Sequence, residues 1–144
     1  MSLQNIHDTF AGLTGPADAA KLRALLSDAN PRELSDPIVR VPLSSTPAAE
    51  SMLIFWRPGA ISRIHDHGES CCMVRVLAGK VMEESFEPII DGLARKIGRA
   101  TMQAGDVFES ASIHRVSNTG PQWAVTLHLY SPRLQMKVWA EATD

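Results

Sequence analysis

The sequence predicts a mainly β domain, an antiparallel sandwich or barrel, with a short helical segment in front of it. Three observations predict it. From about residue 37 onward, short apolar or alternating runs recur between turn signals, the pattern of an antiparallel sandwich or barrel. Before residue 34, apolar side chains fall instead at helical spacing. The chain has 144 residues, which fits one domain, 1–144, large enough to close a hydrophobic core without staples.

Taken in order, Ile6, Phe10 and Leu13 mark a first helix, and Gly15-Pro16 breaks the chain after it. Leu22, Leu25 and Leu26 share one stripe of a second helix, which Asn30-Pro31 ends. These helices occupy residues 1–33, and the β part runs over 37–140. Its expected strands are 38–43, 51–56, 62–67, 72–77 and 81–86. After a turn at Asp91-Gly92 come 94–102, 107–108, 114–117, 123–130 and 137–140. Pro58-Gly59, Ala78-Gly79-Lys80, Ala104-Gly105-Asp106 and Thr119-Gly120-Pro121 supply further turns. Within these elements Trp56 reads as core. Glu83, Glu84 and Glu87 read as the solvated side of a hairpin.

Composition narrows the function classes. The net charge is −2, which disfavours nucleic acid as a partner, because phosphate binding needs a basic face. No run of roughly 18 apolar residues occurs, so no membrane span is expected. The start, MSLQNIHDTF, lacks the basic and apolar regions of a signal peptide. The two cysteines, Cys71 and Cys72, are adjacent and unsuited to pairing with each other, which points to a reducing, cytoplasmic setting. Cys71 is expected in the core, facing away from Cys72. The sequence leaves the oligomeric state open.

Chemistry concentrates in the histidines. Of five, His65, His67, His114 and His128 fall in the β part and His7 in the helical segment. Residues i and i+2 of a strand point the same way, so His65-Asp66-His67 aims two imidazoles into one space and turns Asp66 outward. His114 supplies a third from a neighbouring strand. Three neutral imidazoles suit iron, zinc, copper and nickel alike, and the plain alternative is a polar pair at a barrel rim.

The spacing around these residues, Gly59-x5-His65-x-His67-x4-Cys72-x6-Gly79 and Gly105-x8-His114-x3-Asn118, resembles the two motifs of the cupins. The second motif is looser, lacking the usual Pro-x-Gly. Many cupins carry a metal-binding glutamate where this chain has Cys72. With that substitution, SRIHDHGESCC, IHRVSNTG (113–120) and TLHLYSPR (126–133) resemble the cysteine dioxygenase type I family over roughly residues 38–133. The resemblance implies a cupin barrel (a double-stranded β-helix or jelly roll). It also implies one iron(II) per chain on His65, His67 and His114, and oxidation of a small thiol by dioxygen to a sulfinate.

Further roles follow from the same resemblance. Thr126, His128 and Tyr130 alternate along one strand and match a hydrogen-bonded relay that ends in a tyrosine hydroxyl beside the iron; mammalian relatives have serine at the first position. Cys72 matches a cysteine that forms a thioether with that tyrosine, so a Cys72–Tyr130 crosslink is expected to be accessible. Cysteine-specific members hold the substrate carboxylate with an early arginine. Arg40, in PIVRVPL, is the best match, although Ile38 stands where a tyrosine is frequent. Arg63 is its rival. Relatives that prefer 3-mercaptopropionate carry glutamine at the Arg40 position, which leans this chain toward L-cysteine. Two other readings stay open: a cupin that binds metal or ligand without turnover, and a zinc or nickel cupin with hydrolase or isomerase activity.

Overall fold

The computed structural model of the chain describes residues 37–142. The helices expected over 1–33, and His7, lie outside them. Eleven strands follow in order: β1 (Ile38–Ser45), β2 (Glu50–Trp56), β3 (His65–Asp66), β4 (Cys71–Ala78), β5 (Lys80–Ile90), β6 (Leu93–Gln103), β7 (Val107–Glu109), β8 (Ile113–Ser117), β9 (Ala124–Ser131), β10 (Lys137–Val138) and β11 (Ala140–Glu141). They form a five-stranded sheet ordered β1-β2-β9-β4-β7 and a six-stranded sheet ordered β10-β3-β8-β5-β6-β11. Every pairing is antiparallel except β11 with β6. Among the described residues no helix is long and apolar enough to cross a membrane.

Register decides which side chains meet. In the five-stranded sheet Arg40 lies opposite Ile54, Ile54 opposite Thr126, and Thr126 opposite Val76. The next row inward on the same face holds Met52, His128 and Val74, and the row after that Glu50, Tyr130 and Cys72. This face looks toward the second sheet: Ile54, Trp56, Val76 and Ala124 pack with Val81, Met102 and Val116. The alternate residues Val39, Val41, Leu53, Phe55 and Val125 form a separate cluster on the other face of the sheet. The unbroken apolar run Met52–Trp56 is thus a strand buried on both faces. Burying a side chain such as Leu53 or Phe55, both fully enclosed, stabilises the fold by about 1.5–3 kcal/mol each.

Turns close the hairpins where expected. Gly79, between β4 and β5, has φ +73, and a Cβ there would sit 2.7 Å from the Trp123 carbonyl oxygen. Only glycine fits both the backbone and the space. Asn118 is buried in the loop after β8, where its amide donates to the carbonyls of Trp56 and Gln122 and its oxygen accepts from Gly120 N.

Several expectations need correction. The strand expected over 62–67 shrinks to His65–Asp66. Ser62 N donates to Val116 O, but Val116 N returns its bond to the Ser62 hydroxyl, so a side chain replaces the ladder carbonyl there. The run 137–140 splits, because β10 pairs with β3 and β11 with β6. Between them Trp139 N donates to Ile64 O, and its indole donates to Asp66. Cys71 does face away from Cys72, but onto solvent rather than into a core. Glu83 and Glu84 are buried, not solvated. Asp66 is turned away from the histidine cluster and accepts from Gly68 N, Lys137 N and the Trp139 indole.

Candidate metal centre

His65 and His114 are direct cross-strand partners, on β3 and β8. His67 lies just beyond β3, before a turn at Gly68 with φ +61. The three rings converge, with centroids 4.6–5.2 Å apart and mutually tilted faces. One ligand atom from each lies within 4.8 Å of the others.

The hydrogen bonds behind the rings decide where the lone pairs are. His65 Nδ1 lies 2.8 Å from Arg63 O, an acceptor only, so Nδ1 carries the hydrogen and Nε2 the lone pair. His114 Nδ1 lies 2.7 Å from Glu83 Oε2, so it too carries a hydrogen on Nδ1 and turns Nε2 toward the other rings. The two Nε2 atoms face each other at 3.1 Å. His67 Nε2 is buried and has no hydrogen-bond partner among the described residues. Burial, then the neighbouring imidazoles, pushes His65 and His67 down to about 4, so both are neutral at pH 7. Ring nitrogens turned together and an orphaned buried nitrogen suit a shared cation. The residues present therefore fit a metal ion.

Beside this cluster runs a polar chain on β9. The Trp56 indole donates to Thr126 Oγ1 at 2.8 Å, and Thr126 Oγ1 lies 2.7 Å from His128 Nε2. Tyr130 Oη lies 3.3 Å from His128 Nδ1. Burial, then His114, lowers His128 to about 3, so its ring is neutral. The indole can only donate, so Thr126 Oγ1 accepts from it and keeps a hydrogen and a lone pair to offer His128 Nε2, while the Tyr130 hydroxyl also bonds the Cys72 thiol. Tyr130 is raised well above its ordinary value, first by burial and then by Cys72, and remains a donor at pH 7. Cys72 lies opposite Tyr130 on β4, its sulfur 3.9 Å from His128 Nδ1, and burial pushes its thiol up to about 11.

A cavity of about 540 Å³ opens onto both groups. His65, His114, His128 and Tyr130 line it together with Arg40 and Arg63. Arg40 acts electrostatically on His65, His128 and Tyr130, so its charge faces the centre from β1. Of the site residues expected in the β part, Arg40, Arg63, His65, His114, His128 and Tyr130 line this cavity, and Thr126, Cys72 and His67 do not.

Two contributors were not expected. Trp56 is core but also heads the polar chain. Glu83 fixes the His114 tautomer, being two residues from Ser85, the direct partner of His114 across β5 and β8. That diagonal places it on the same face. In the sequence Glu83 is only one of three nearby carboxylates, with Glu84 and Glu87, and the pairing register that singles it out is not written there.

A family model for cysteine dioxygenase type I matches residues 43–140. The chain belongs to the cysteine dioxygenase type I family. Within that span lie the three clustered histidines, Cys72, Thr126, His128 and Tyr130, whereas Arg40 precedes it. The chain is similar to a cysteine dioxygenase type 1 of Danio rerio, 34% identical over 92 residues that cover 58% of this chain and 45% of that protein. It is also similar to the Homo sapiens cysteine dioxygenase type 1, 34% identical over 87 residues covering 56% and 44%. The matched stretch is thus under half the length of these cysteine dioxygenases.

Solved structures carry the fold. A Klebsiella pneumoniae protein with a double-stranded β-helix domain superposes with TM-score 0.60 at 16% identity, covering 73% of this chain and 81% of that one. KdgF from Halomonas sp. superposes with TM-score 0.53 at 21% identity, covering 74% and 85%. The cupin barrel expected of a family member is the fold observed.

Proposed function

We propose that this chain is an iron(II)-dependent, non-haem thiol dioxygenase of the cytoplasm that joins a small thiol and dioxygen to give the sulfinate, with L-cysteine as substrate. The observation that carries this reading is the convergence of three imidazoles, with ligand atoms within 4.8 Å of one another, beside the Tyr130 hydroxyl. Family membership supports it. His65, His67 and His114 would hold the iron, which supplies the redox chemistry that adds both oxygen atoms to the sulfur.

The rest of the work falls to the protein. The Arg40 guanidinium pairs with the substrate carboxylate, and its planar fork fixes the orientation of the chain that carries the sulfur. Apolar residues of the cavity wall, among them Ile54 and Met52, exclude water around the reacting atoms. Tyr130 offers its hydrogen to negative charge that develops at the centre, and His128 and Thr126 hold the hydroxyl in place. Cys72, facing Tyr130, is the partner for a thioether to that ring.

3-Mercaptopropionate is the second candidate. No acidic side chain lines the cavity among the described residues, so nothing on its wall would receive a substrate ammonium. Oxygen uptake by the iron-loaded protein, measured separately with L-cysteine, 3-mercaptopropionate and cysteamine, tests the proposal. Uptake with cysteine, matched by cysteine sulfinate, is expected. Uptake with 3-mercaptopropionate alone would reassign the substrate, and no uptake with any thiol would refute the dioxygenase.

A further inference from the structure

We propose that a metal ion reaches the three histidines through a second, acidic cavity, drawn in by Glu109, rather than through the cavity lined by Arg40 and Arg63. The proposal rests on the metal-binding reading of the cluster and adds its loading route. The second cavity has a volume of about 320 Å³. The two cavities share no lining residue and divide the centre between them. His65, His114 and Tyr130 line the first, whereas His67 and Cys72 line the second.

Their charges are opposite. Two guanidinium groups and no carboxylate line the first cavity among the described residues, so its mouth repels a divalent cation. Asp66 and Glu109 line the second, with the hydroxyl-bearing Ser70, Ser110 and Ser112 and with neither lysine nor arginine among the described residues. Asp66 engages its carboxylate with Gly68 N, Lys137 N and the Trp139 indole. Glu109, exposed at the end of β7, forms no ion pair among the described residues, so its charge is left for an incoming ion. Negative charge in a concave opening focuses the field and raises the local concentration of cations. His67 also lines this cavity: the ring is 5% exposed, and its Nε2 has no hydrogen-bond partner among the described residues. A carboxylate on the approach and an unpartnered imidazole within make a path with a ligand on it. At roughly 30 Å³ per water, the cavity has space for a divalent ion with its water shell.

The test follows cobalt(II) uptake by the full, metal-free chain in stopped flow, read by quenching of tryptophan fluorescence. Equilibrium affinity is measured separately by competition with a chromophoric chelator. Glu109→Lys is expected to slow association about tenfold at low salt and only about twofold at about 0.5 M salt, where the charge is screened. A charge on the path that is not a ligand alters the barrier in both directions, so dissociation slows in step and the equilibrium affinity stays within about threefold. Cys71 is exposed and lines the same cavity, so its alkylation with N-ethylmaleimide is expected to slow uptake as well, with no effect of the reagent in Cys71→Ser. Arg63→Gln, which would speed entry through the first cavity, is expected to leave the rate within about twofold. A rate unchanged in Glu109→Lys, a rate unchanged by alkylation, or a rate raised severalfold by Arg63→Gln would each overturn the route. Intact equilibrium binding would then leave the metal centre standing, whereas absence of binding at equilibrium would refute the centre and the route together.

Discussion

Glu83 sets how well His114 can serve a cation. Its carboxylate accepts the Nδ1 hydrogen at 2.7 Å inside the protein, which aims Nε2 at the other two imidazoles and makes it more basic. Glu83→Gln keeps an acceptor of the same shape but loses the charge, and its amide can present the wrong end. Metal affinity is expected to fall by about 10–100-fold, read by competition with a chromophoric chelator, while thermal stability of the metal-free protein changes little. An unchanged affinity would leave Glu83 a merely structural partner. At this scale the sequence was most legible for the clustering of the three histidines. His65 and His67 are two apart in the chain, and that spacing survives even though the strand around them is only two residues long. Glu83 and the indole of Trp56 were misread as solvated and as plain core. Their roles depend on neighbours 31 and 70 residues away.

At the scale of elements, β5 shows how one alternating strand can serve two sites. Its inward face carries Glu83 to His114, and its other face carries Glu84 to Arg115, directly opposite on β8. Hydrogen bonding from the Arg115 guanidinium, with Lys96 in support, holds the Glu84 carboxyl below its ordinary 4.5 against the opposing cost of burial. A carboxyl depressed in the folded state stabilises it fully above the unfolded value. That contribution disappears as pH falls through the folded one. Thermal unfolding followed from pH 7 downward should therefore show a loss of stability that sets in below about pH 4.5. In Glu84→Gln the protein should start less stable at pH 7 and show a shallower acid limb; identical acid limbs would assign that loss to other carboxylates. The sequence showed where β5 lies but not that it runs on to Ile90, nor that 137–140 changes partners midway. Strand extent is set by what lies alongside, and only folding supplies that.

For the whole molecule, the proposed metal site would couple ion binding to folding. The three histidines come from β3, the loop after it and β8, so an ion held by all three would bind the native chain and not the unfolded one. At a free metal concentration about 100 times Kd this linkage is worth about 2.7 kcal/mol, which should raise Tm by roughly 5–10 °C and be reversed by a chelator. A Tm indifferent to metal would argue against the cluster as a binding site. The two-sheet architecture was readable from run lengths and turn residues, because alternation with frequent glycine and proline admits few other packings. Burial on both faces of the five-stranded sheet was hinted at only by the unbroken run Met52–Trp56.

Asp66 gives the tail of the chain a hold on this centre. It separates the two neighbouring imidazoles in sequence, yet spends its carboxylate outside the barrel, on the backbone of Lys137 and the indole of Trp139. The last strands thus work as a buckle fastened to the one residue between His65 and His67. Whatever pries residues 137–139 loose would loosen the spacing of His65 and His67 without touching either ring.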